Sequence, residues 1–424
     1  MSEGKHDVKT HQKAEEPKPK KKRSPLKILF ALIILLAAAA GGSVAYIYKT
    51  TADSLDLIFA RQNPSVEFGG DFSSGDYVLE STGDVAPAAA SLDTDSLGEK
   101  TLSYTVSKPI LGGLFTPSKE FTLSYTVIDT VDPISLWYWD GAILERGTKF
   151  DIQEIIAYGD NADPAPQVKV DGEVNMEKNG EYPLHVTVTD ASGNSTDWDM
   201  TVEVADTVPE YEDDTPRTKF EDFAKEYKGD GRSFGIDVSA WQDDVDYEAV
   251  KKAGCEFVII RIGWSDEGKV TLDNWFDNNF KKAKAAGLKV GVYLYSYDNS
   301  EENVRASAAW ISDKLGGEKL DFPVAFDWED FGKFQTYNMS FADLNKLYDV
   351  FADELSKSGY DCMLYGSKLR LEKVWADTDT RPVWLAHYTD KTDYEGPYML
   401  WQASSTGNIE GISGDVDMDI LYQQ

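Results

Sequence analysis

The sequence predicts a multidomain chain with one N-terminal transmembrane helix, two all-β sandwiches, and a C-terminal α/β barrel of eight strands with an incomplete set of outer helices. Three observations carry this reading. Ile28 to Tyr48 is an uncharged apolar run, long enough to cross a hydrocarbon core as a helix. Between Asp53 and Asp214, short runs of alternating apolar and polar residues are separated by turns rich in Gly, Pro, Asn and Asp. From Ser233 onward, apolar strands alternate with amphipathic helices. A chain of 424 residues is also too long for one ordinary core.

Lys20, Lys21, Lys22 and Arg23 precede the apolar run, so the positive-inside tendency makes residues 1–27 a cytoplasmic tail and puts everything after Tyr48 outside. Ser43-Val44-Ala45 offers the small residues of a signal-peptidase site, which would give a cleaved, secreted form. The apolar run exceeds the roughly 7–15 residues of a signal h-region, so a single-pass anchor at 28–48 is the expectation. The formal net charge of −32 is unevenly placed: the first fifty residues hold ten Lys and Arg against four Asp and Glu, a net of +6, which leaves −38 on the rest. So acidic a body repels nucleic acid. Cys255 and Cys362 lie far apart inside apolar runs and read as buried small hydrophobes. Four histidines are few for a histidine-based metal centre, and neither a metal nor a cofactor is expected.

In the middle of the chain, strands are readable at Thr101 to Val106, Phe121 to Ile128, Tyr182 to Thr189 and Met200 to Val204. Tyr125-Thr-Val-Ile-Asp129-Thr130-Val131 and Glu203-Val-Ala-Asp206-Thr207-Val208 form a weak repeat 77 residues apart, which sets sandwich domains at 53–130 and 131–209. Gly180-Glu-Tyr182 followed by Val186-Thr-Val-Thr-Asp190-Ala-Ser-Gly193-Asn194 resembles bacterial immunoglobulin-like domains of surface proteins; the first copy resembles them less closely. The Asp-Ala-Ser-Gly-Asn stretch fits a hairpin turn, with Gly and Asn available for positive φ. The two domains read as spacers of roughly 30 Å each. Residues 210–232, acidic and then able to form a short helix, read as a linker.

The last segment, 233–424, offers strands at Phe234 to Val238, Phe257 to Ile262, Val290 to Tyr295, Val324 to Trp328, Cys362 to Tyr365, Val383 to His387, Met399 to Gln402 and Val416 to Ile420. Helices are expected at Tyr247 to Ala253, Asn274 to Ala286, Glu301 to Leu315 and Phe341 to Ser358. This alternation implies a parallel sheet closed into a barrel, its last strands joined by short links because helices become scarce after Ser358.

Four strand ends carry carboxylates: Asp237 on the first, Asp327 and Glu329 on the fourth, and Asp417 on the eighth. Asp327 and Glu329 are two residues apart, so a strand through both sends their side chains to one face. Carboxylates held close have pKa values pushed apart, which suits glycosidic cleavage: one protonates the leaving oxygen while negative charge steadies the developing sugar cation. An Asp-x-Glu alone is more often a solvated rim, but aromatic residues that suit sugar rings crowd these positions: Trp241, Trp264, Tyr293, Tyr295, Trp328, Tyr365, Trp384, Tyr388 and Trp401.

At these residues the sequence resembles glycoside hydrolase family 25, the bacterial muramidase type of lysozyme. The fragments that carry the resemblance are Gly235-Ile-Asp237-Val-Ser239-Ala-Trp241-Gln242, Val258-Ile-Ile-Arg261-Ile-Gly263, Gly291-Val-Tyr293, Phe326-Asp327-Trp-Glu329, Trp384-Leu-Ala386-His-Tyr388, Leu400-Trp401-Gln402 and Gly411-Ile-Ser-Gly414-Asp-Val416-Asp417-Met. The resemblance implies hydrolysis of the β-1,4 bond between N-acetylmuramic acid and N-acetylglucosamine in peptidoglycan. It makes Glu329 the general acid, Asp327 its partner at the substrate's acetamido group, and Asp237 and Asp417 supports of position and charge. The aromatics named above other than Trp264, with Gln402, are then the substrate-binding set. Asp419 departs from the family, which usually has Asn there, and Tyr295 stands where Phe or His is more usual. Alternatives are a chitinase or endo-N-acetylglucosaminidase-like barrel, disfavoured by Val324-Ala-Phe326 before Asp327, and an inactive wall-binding surface protein, disfavoured by the full carboxylate set. The expected partners are peptidoglycan strands and, through the N-terminal helix, the cell membrane.

Overall fold

The structure, a computed structural model, describes residues 25–210, 213 and 215–422. The basic cluster at Lys20 to Arg23, and with it most of the predicted cytoplasmic tail, lies outside the described residues. The chain divides into two compact units, one of residues up to Val66 with Gly70–Val127, the other of Glu67–Gly69 with Ile128 onward.

In the first unit, a helix of 30 residues, Pro25–Ser54, contains the predicted span and extends past both its ends. At 1.5 Å per residue it is about 45 Å long, more than a hydrocarbon core of ~30 Å, and none of its residues is buried. A four-stranded sheet follows, built on the antiparallel hairpin of Gly98–Ser107 and Ser118–Ile128, with Ser65–Glu67 and Asp84–Pro87 at its flanks. Alternation sends Leu102, Tyr104 and Val106 inward to meet Leu123, Tyr125 and Val127.

The second unit begins with another β-domain. Its larger sheet runs in the order Gln167–Asp171, Gly180–Thr189, Ser195–Ala205 and Ala142–Glu145, and Ile134–Tyr138 pairs with Ile156–Gly159 in a smaller one. Leu184, Val186, Val188, Met200 and Val202 from the first sheet pack on Ile156 and Tyr158 from the second. The turn at Asp190 to Asn194 joins two antiparallel strands, and Gly193 takes φ 94° there.

The barrel has eight strands: β1 (Arg232–Val238), β2 (Phe257–Asp266), β3 (Lys289–Ser296), β4 (Val324–Trp328), β5 (Cys362–Ser367), β6 (Val383–Ala386), β7 (Leu400–Asn408) and β8 (Val416–Tyr422). Each pairs with the next, and β8 returns to β1 to close the ring. Strands β1 to β7 are parallel, but β8 is antiparallel to both neighbours. The expected parallel sheet holds for seven strands and is corrected at the eighth. The link 409–415 is too short for a crossover, and strands joined by a short link run antiparallel. The helices are α1 (Tyr247–Lys252), α2 (Phe276–Ala286), α3 (Glu301–Leu315), α4 (Phe341–Ser356) and α5 (Lys368–Lys373); the links 387–399 and 409–415 carry none.

Strict alternation sorts each strand into an outer set under the helices and an inner set. On β4, Phe326 faces outward against Phe351 of α4, with ring centroids 4.8 Å apart, while Ala325 belongs to the inner cluster with Phe257, Ile259, Met363 and Trp384. The bore is narrow. A Cβ on Gly235 would lie 2.4 Å from the Phe257 ring, so only glycine fits beneath Asp237.

Residues 210–232, read as a linker, are one only in part. Thr218–Lys219 pairs in parallel with β7, and the helix Phe220–Glu226 drives Phe220 and Phe223 into the barrel's apolar core. An i, i+3 apolar pair in an acidic stretch is enough to dock so short a helix.

The second β-domain also packs directly on the barrel. After β4 the chain forms a 3-10 segment, Phe331–Thr336, which leads into α4. Leu136 and Ala157 of the β-domain share one apolar cluster with Phe334 and Phe341. Gln335 Nε2 donates to Ile156 O at 3.2 Å, and the Phe341 and Ala342 amides donate to Asp160 O and Asn161 O at 2.8 and 3.2 Å. The first amides of a helix have no partner within it, so here the β-domain supplies the acceptors. A Cβ on Gly159 would come within 2.6 Å of the Phe341 ring and 2.8 Å of Phe334. Gly159→Ala is therefore expected to overpack this junction and cost about 1–3 kcal/mol. Denaturant unfolding of the full chain checks this, and unchanged stability would refute the close packing.

Candidate active site

The open end of the barrel, where the parallel strands finish, holds a cavity of about 480 Å³. Asp237, Asp327, Glu329 and Asp417 all line it, from β1, from and just beyond β4, and from β8. Asp237 sits opposite Asp417 across the antiparallel β1/β8 pair, so the closing strand itself brings these two together. Asp327 sits opposite Tyr295 on β3. Asp327 is 4% exposed and its Oδ1 is buried without a hydrogen-bond partner, whereas Glu329 stands exposed at the mouth.

Of the aromatics predicted from sequence, Trp241, Tyr293, Tyr295, Tyr365, Trp384 and Tyr388 line the cavity, with Gln402. Trp241 is 83% exposed, a free indole face at the rim. Gln402 is the hub on the far side: its Nε2 donates to Asp237 Oδ2 at 2.7 Å, and its Oε1 accepts from the Tyr365 and Tyr388 hydroxyls, both at 2.9 Å. Three side chains thereby hold the Asp237 carboxylate in one orientation.

Trp328 and Trp401 do not reach the cavity, which corrects their assignment. Each follows or precedes a lining residue by one position, and alternation turns it to the outer face. Trp328 is buried against Phe331, Phe334 and Tyr337 and donates its Nε1 to Asp298 O at 3.0 Å. Trp401 packs edge-on to Tyr227 and donates to His387 O at 2.8 Å. Trp264 is likewise outside the lining, near the Arg261 guanidinium.

The structure adds residues that the sequence reading did not single out. Arg261 lines the cavity and is held by Asp273, whose Oδ2 accepts from Arg261 Nε at 2.8 Å and from the Ala240 amide at 2.9 Å. Parity would have found it, since Arg261 lies two residues beyond the inward Ile259. Ser239, Gln242, Ser405, Ser413, Gly414 and Asp415 complete a polar wall. Gln242 Nε2 donates to Asp415 O at 3.1 Å, tying the loop after β1 to the loop before β8.

Residues 236–412 match the family described as Glycosyl hydrolases family 25, and residues 140–204 match the one described as Bacterial surface protein, Ig-like domain. The barrel is a family 25 glycosyl hydrolase domain. An autolytic lysozyme of Clostridium acetobutylicum is 30% identical over 187 residues, covering 44% of this chain and 54% of its own length. Lysozyme M1 of Streptomyces globisporus is 29% identical over 201 residues, covering 43% of this chain and 65% of its own. The chain thus spans about half to two thirds of the length of these curated relatives. A solved family 25 glycosyl hydrolase from Bacillus anthracis is 20% identical with a TM-score of 0.40, covering 47% of this chain and 93% of that one.

The family 25 domain concentrates like charge where little water reaches. Burial raises Asp327 well above the usual carboxylate range, and Glu329 and Asp237 beside it push the same way, against Arg261. Desolvation by the protein atoms packed around it also raises Glu329, although the side chain is accessible at the mouth, and the Arg370 guanidinium of α5 opposes the rise. Its exposed position leaves it open to whatever enters the mouth. Asp237 is raised by burial and by Asp419; Asp417 is pushed up to about 9, and Asp419, fully buried, to about 8. Asp419 Oδ1 accepts from Trp384 Nε1 at 2.8 Å.

These groups bind protons more tightly folded than unfolded, so their contribution to stability is present in acid and is lost as pH rises toward 8 and 9. Asp419→Asn keeps an oxygen for Trp384 and removes one such group. It is expected to stabilise the chain on the order of 4 kcal/mol more at pH 8.5 than at pH 5, relative to wild type. Urea unfolding at the two pH values measures this, and an equal difference at both would show that Asp419 is not held protonated by the fold.

Proposed function

We propose that the chain is a membrane-anchored, extracytoplasmic muramidase that hydrolyses the β-1,4 bond between N-acetylmuramic acid and N-acetylglucosamine in peptidoglycan. The observation that carries the reading is a solvent-exposed Glu329 beside a buried Asp327, in a cavity walled by tyrosines and tryptophans. The match to family 25 and the likeness to lysozymes support the same chemistry.

In this mechanism Glu329, whose hold on its proton is strengthened by its surroundings, gives that proton to the glycosidic oxygen as the bond to the sugar's anomeric carbon breaks, and a water then adds to that carbon and returns a proton to Glu329. The unpartnered Oδ1 of Asp327 accepts the substrate's acetamido N–H, fixing that group next to the reacting carbon. Asp237 and Asp417, both raised above the usual carboxylate range, turn carboxyl oxygens toward the developing sugar cation, and Gln402 holds Asp237 in place. Trp241 and Tyr388, exposed at the rim, offer flat faces to neighbouring sugars.

The helix Pro25–Ser54, long and apolar enough to cross a membrane, supports an anchor with the remaining chain outside the cell; cleavage there would release a secreted form. We also read residues 53–130 as a second immunoglobulin-like sandwich preceding the one at 131–209, and the barrel from 233 as one lacking some outer helices. Remodelling or lysis of the cell wall follows from such an arrangement.

Purified full-length chain in detergent is expected to clear isolated peptidoglycan and leave N-acetylmuramic acid at the new reducing ends, read by mass analysis after borohydride reduction. N-acetylglucosamine at those ends would move the chain to the glucosaminidase class. Glu329→Gln should lower turnover by about 10²–10⁴-fold with folding intact, Asp327→Asn should be comparably severe, and Asp417→Asn milder. Wild-type turnover in Glu329→Gln would remove Glu329 from the acid role.

A further inference from the structure

Away from the barrel mouth, a second acidic group lies in the second compact unit, where the Ig-like domain meets α4. Asp129 follows the strand Ser118–Ile128, Asp160 follows Ile156–Gly159, and Asp190 opens the turn after Gly180–Thr189. They are 7%, 0% and 6% exposed, and each brings one carboxylate oxygen within 4.8 Å of the other two. We propose that Asp129, Asp160 and Asp190 form a binding site for a divalent cation of the calcium class.

The spacing fits that occupant: two oxygens at about 2.4 Å from one calcium ion are at most about 4.8 Å apart. The hydrogen bonding points the same way. Asp160 Oδ1 accepts from the Ala162 and Asp163 amides at 2.9 and 2.7 Å, while its Oδ2, on a fully buried side chain, has no partner. Asp129 Oδ1 accepts from the Val131 amide and from Asn161 Nδ2, at 3.2 and 3.1 Å, and its Oδ2 has none. Asn161 Oδ1 is a third buried oxygen without a partner. All three are acceptors, and a buried carboxylate oxygen without a donor or counter-ion is costly. An all-oxygen set with several carboxylates selects a hard cation over the softer transition metals.

A cation there would act on the barrel through the backbone. The carbonyls of Asp160 and Asn161 accept the Phe341 and Ala342 amides that open α4, so fixing the carboxylates fixes the acceptors that hold the two domains together. The site is independent of the hydrolytic reading and can fail or stand without it.

The test titrates calcium chloride into EDTA-treated full-length chain in detergent, followed by calorimetry and thermal unfolding. Wild type is expected to bind one calcium with a Kd of about 10⁻⁴ to 10⁻³ M and to unfold several degrees higher in 5 mM calcium. Asp160→Asn and Asp190→Asn should each weaken binding at least tenfold and lose the shift. Asn keeps the Oδ1 that accepts neighbouring amides, while Asp190→Asn also gives up the bond that Asn194 Nδ2 donates to Oδ2, and circular dichroism checks each fold. Asp199→Asn, on the exposed face of the same domain, should bind as wild type does. Absence of saturable binding in the wild type overturns the proposal, as does binding that persists unchanged in both folded variants.

Discussion

Closure of a narrow barrel around like charge is the constraint on which the rest of this molecule depends. Asp237, Asp327 and Asp419 are buried at one end of the bore with Asp417 half-buried beside them, Glu329 stands at its opening, and two guanidiniums face the group, Arg261 in the bore and Arg370 beside Glu329. Arg261 is already engaged by Asp273, so it cannot neutralise the group alone. Protons, hydrogen bonds and shape must do the remainder. Gln402 and its two tyrosines hold Asp237, Trp384 holds one oxygen of Asp419, and Gly235 leaves the space that these groups occupy. A site that keeps carboxyls protonated near neutral pH is poorly suited to stability and well suited to proton donation.

The antiparallel β8 is what makes the arrangement close. A parallel eighth strand would need a crossover, and 409–415 has no room for one. Reversal instead sets Asp417 directly opposite Asp237 and Asp419 opposite Gly235, so the second acid of each strand pair meets either an acid or a gap. The departure at Asp419 from the usual Asn of the family therefore adds a titratable proton to a buried position without changing the bond from Trp384. Its consequence falls on pH dependence, with the barrel's shape left intact.

Much of this was legible in the residues because it follows from period. The eight strands and the helix Glu301–Leu315 come from runs whose apolar spacing is unambiguous, and Asp-x-Glu on a strand predicts a shared face without any coordinates. The misreadings have physical sources. Trp328 and Trp401 are aromatic and lie beside lining residues in sequence, yet the same alternation that pairs Asp327 with Glu329 turns Trp328 away. Arg261 is the converse case: its parity turns it into the cavity, but a single cation in an apolar strand does not by itself mark a site residue. Phe220 and Phe223 were hidden by acidic neighbours, since burial of so short a helix depends on the barrel surface it meets, which local sequence does not encode. The docking of the Ig-like domain was invisible for the same cause.

That docking changes what the upstream domain does. Trp328 lies between the two acids in sequence and packs at 4.9 and 5.8 Å against Phe331 and Phe334; Phe334 packs at 5.2 Å on Phe341; and Gly159 of the Ig-like domain leaves no room for a methyl group against those last two rings. A continuous run of aromatic contacts thus leads from the back of β4 to the neighbouring domain. Close-packed rings transmit displacement, because a shift of a few tenths of an ångström in one must be taken up by the next. The strand that carries Asp327 and leads to Glu329 is braced from outside by a domain whose sequence suggests only a spacer. An Ig-like domain packed in this way is part of the scaffold that holds the acids in register, and removing it would expose Phe334 and Phe341 along with the first amides of α4.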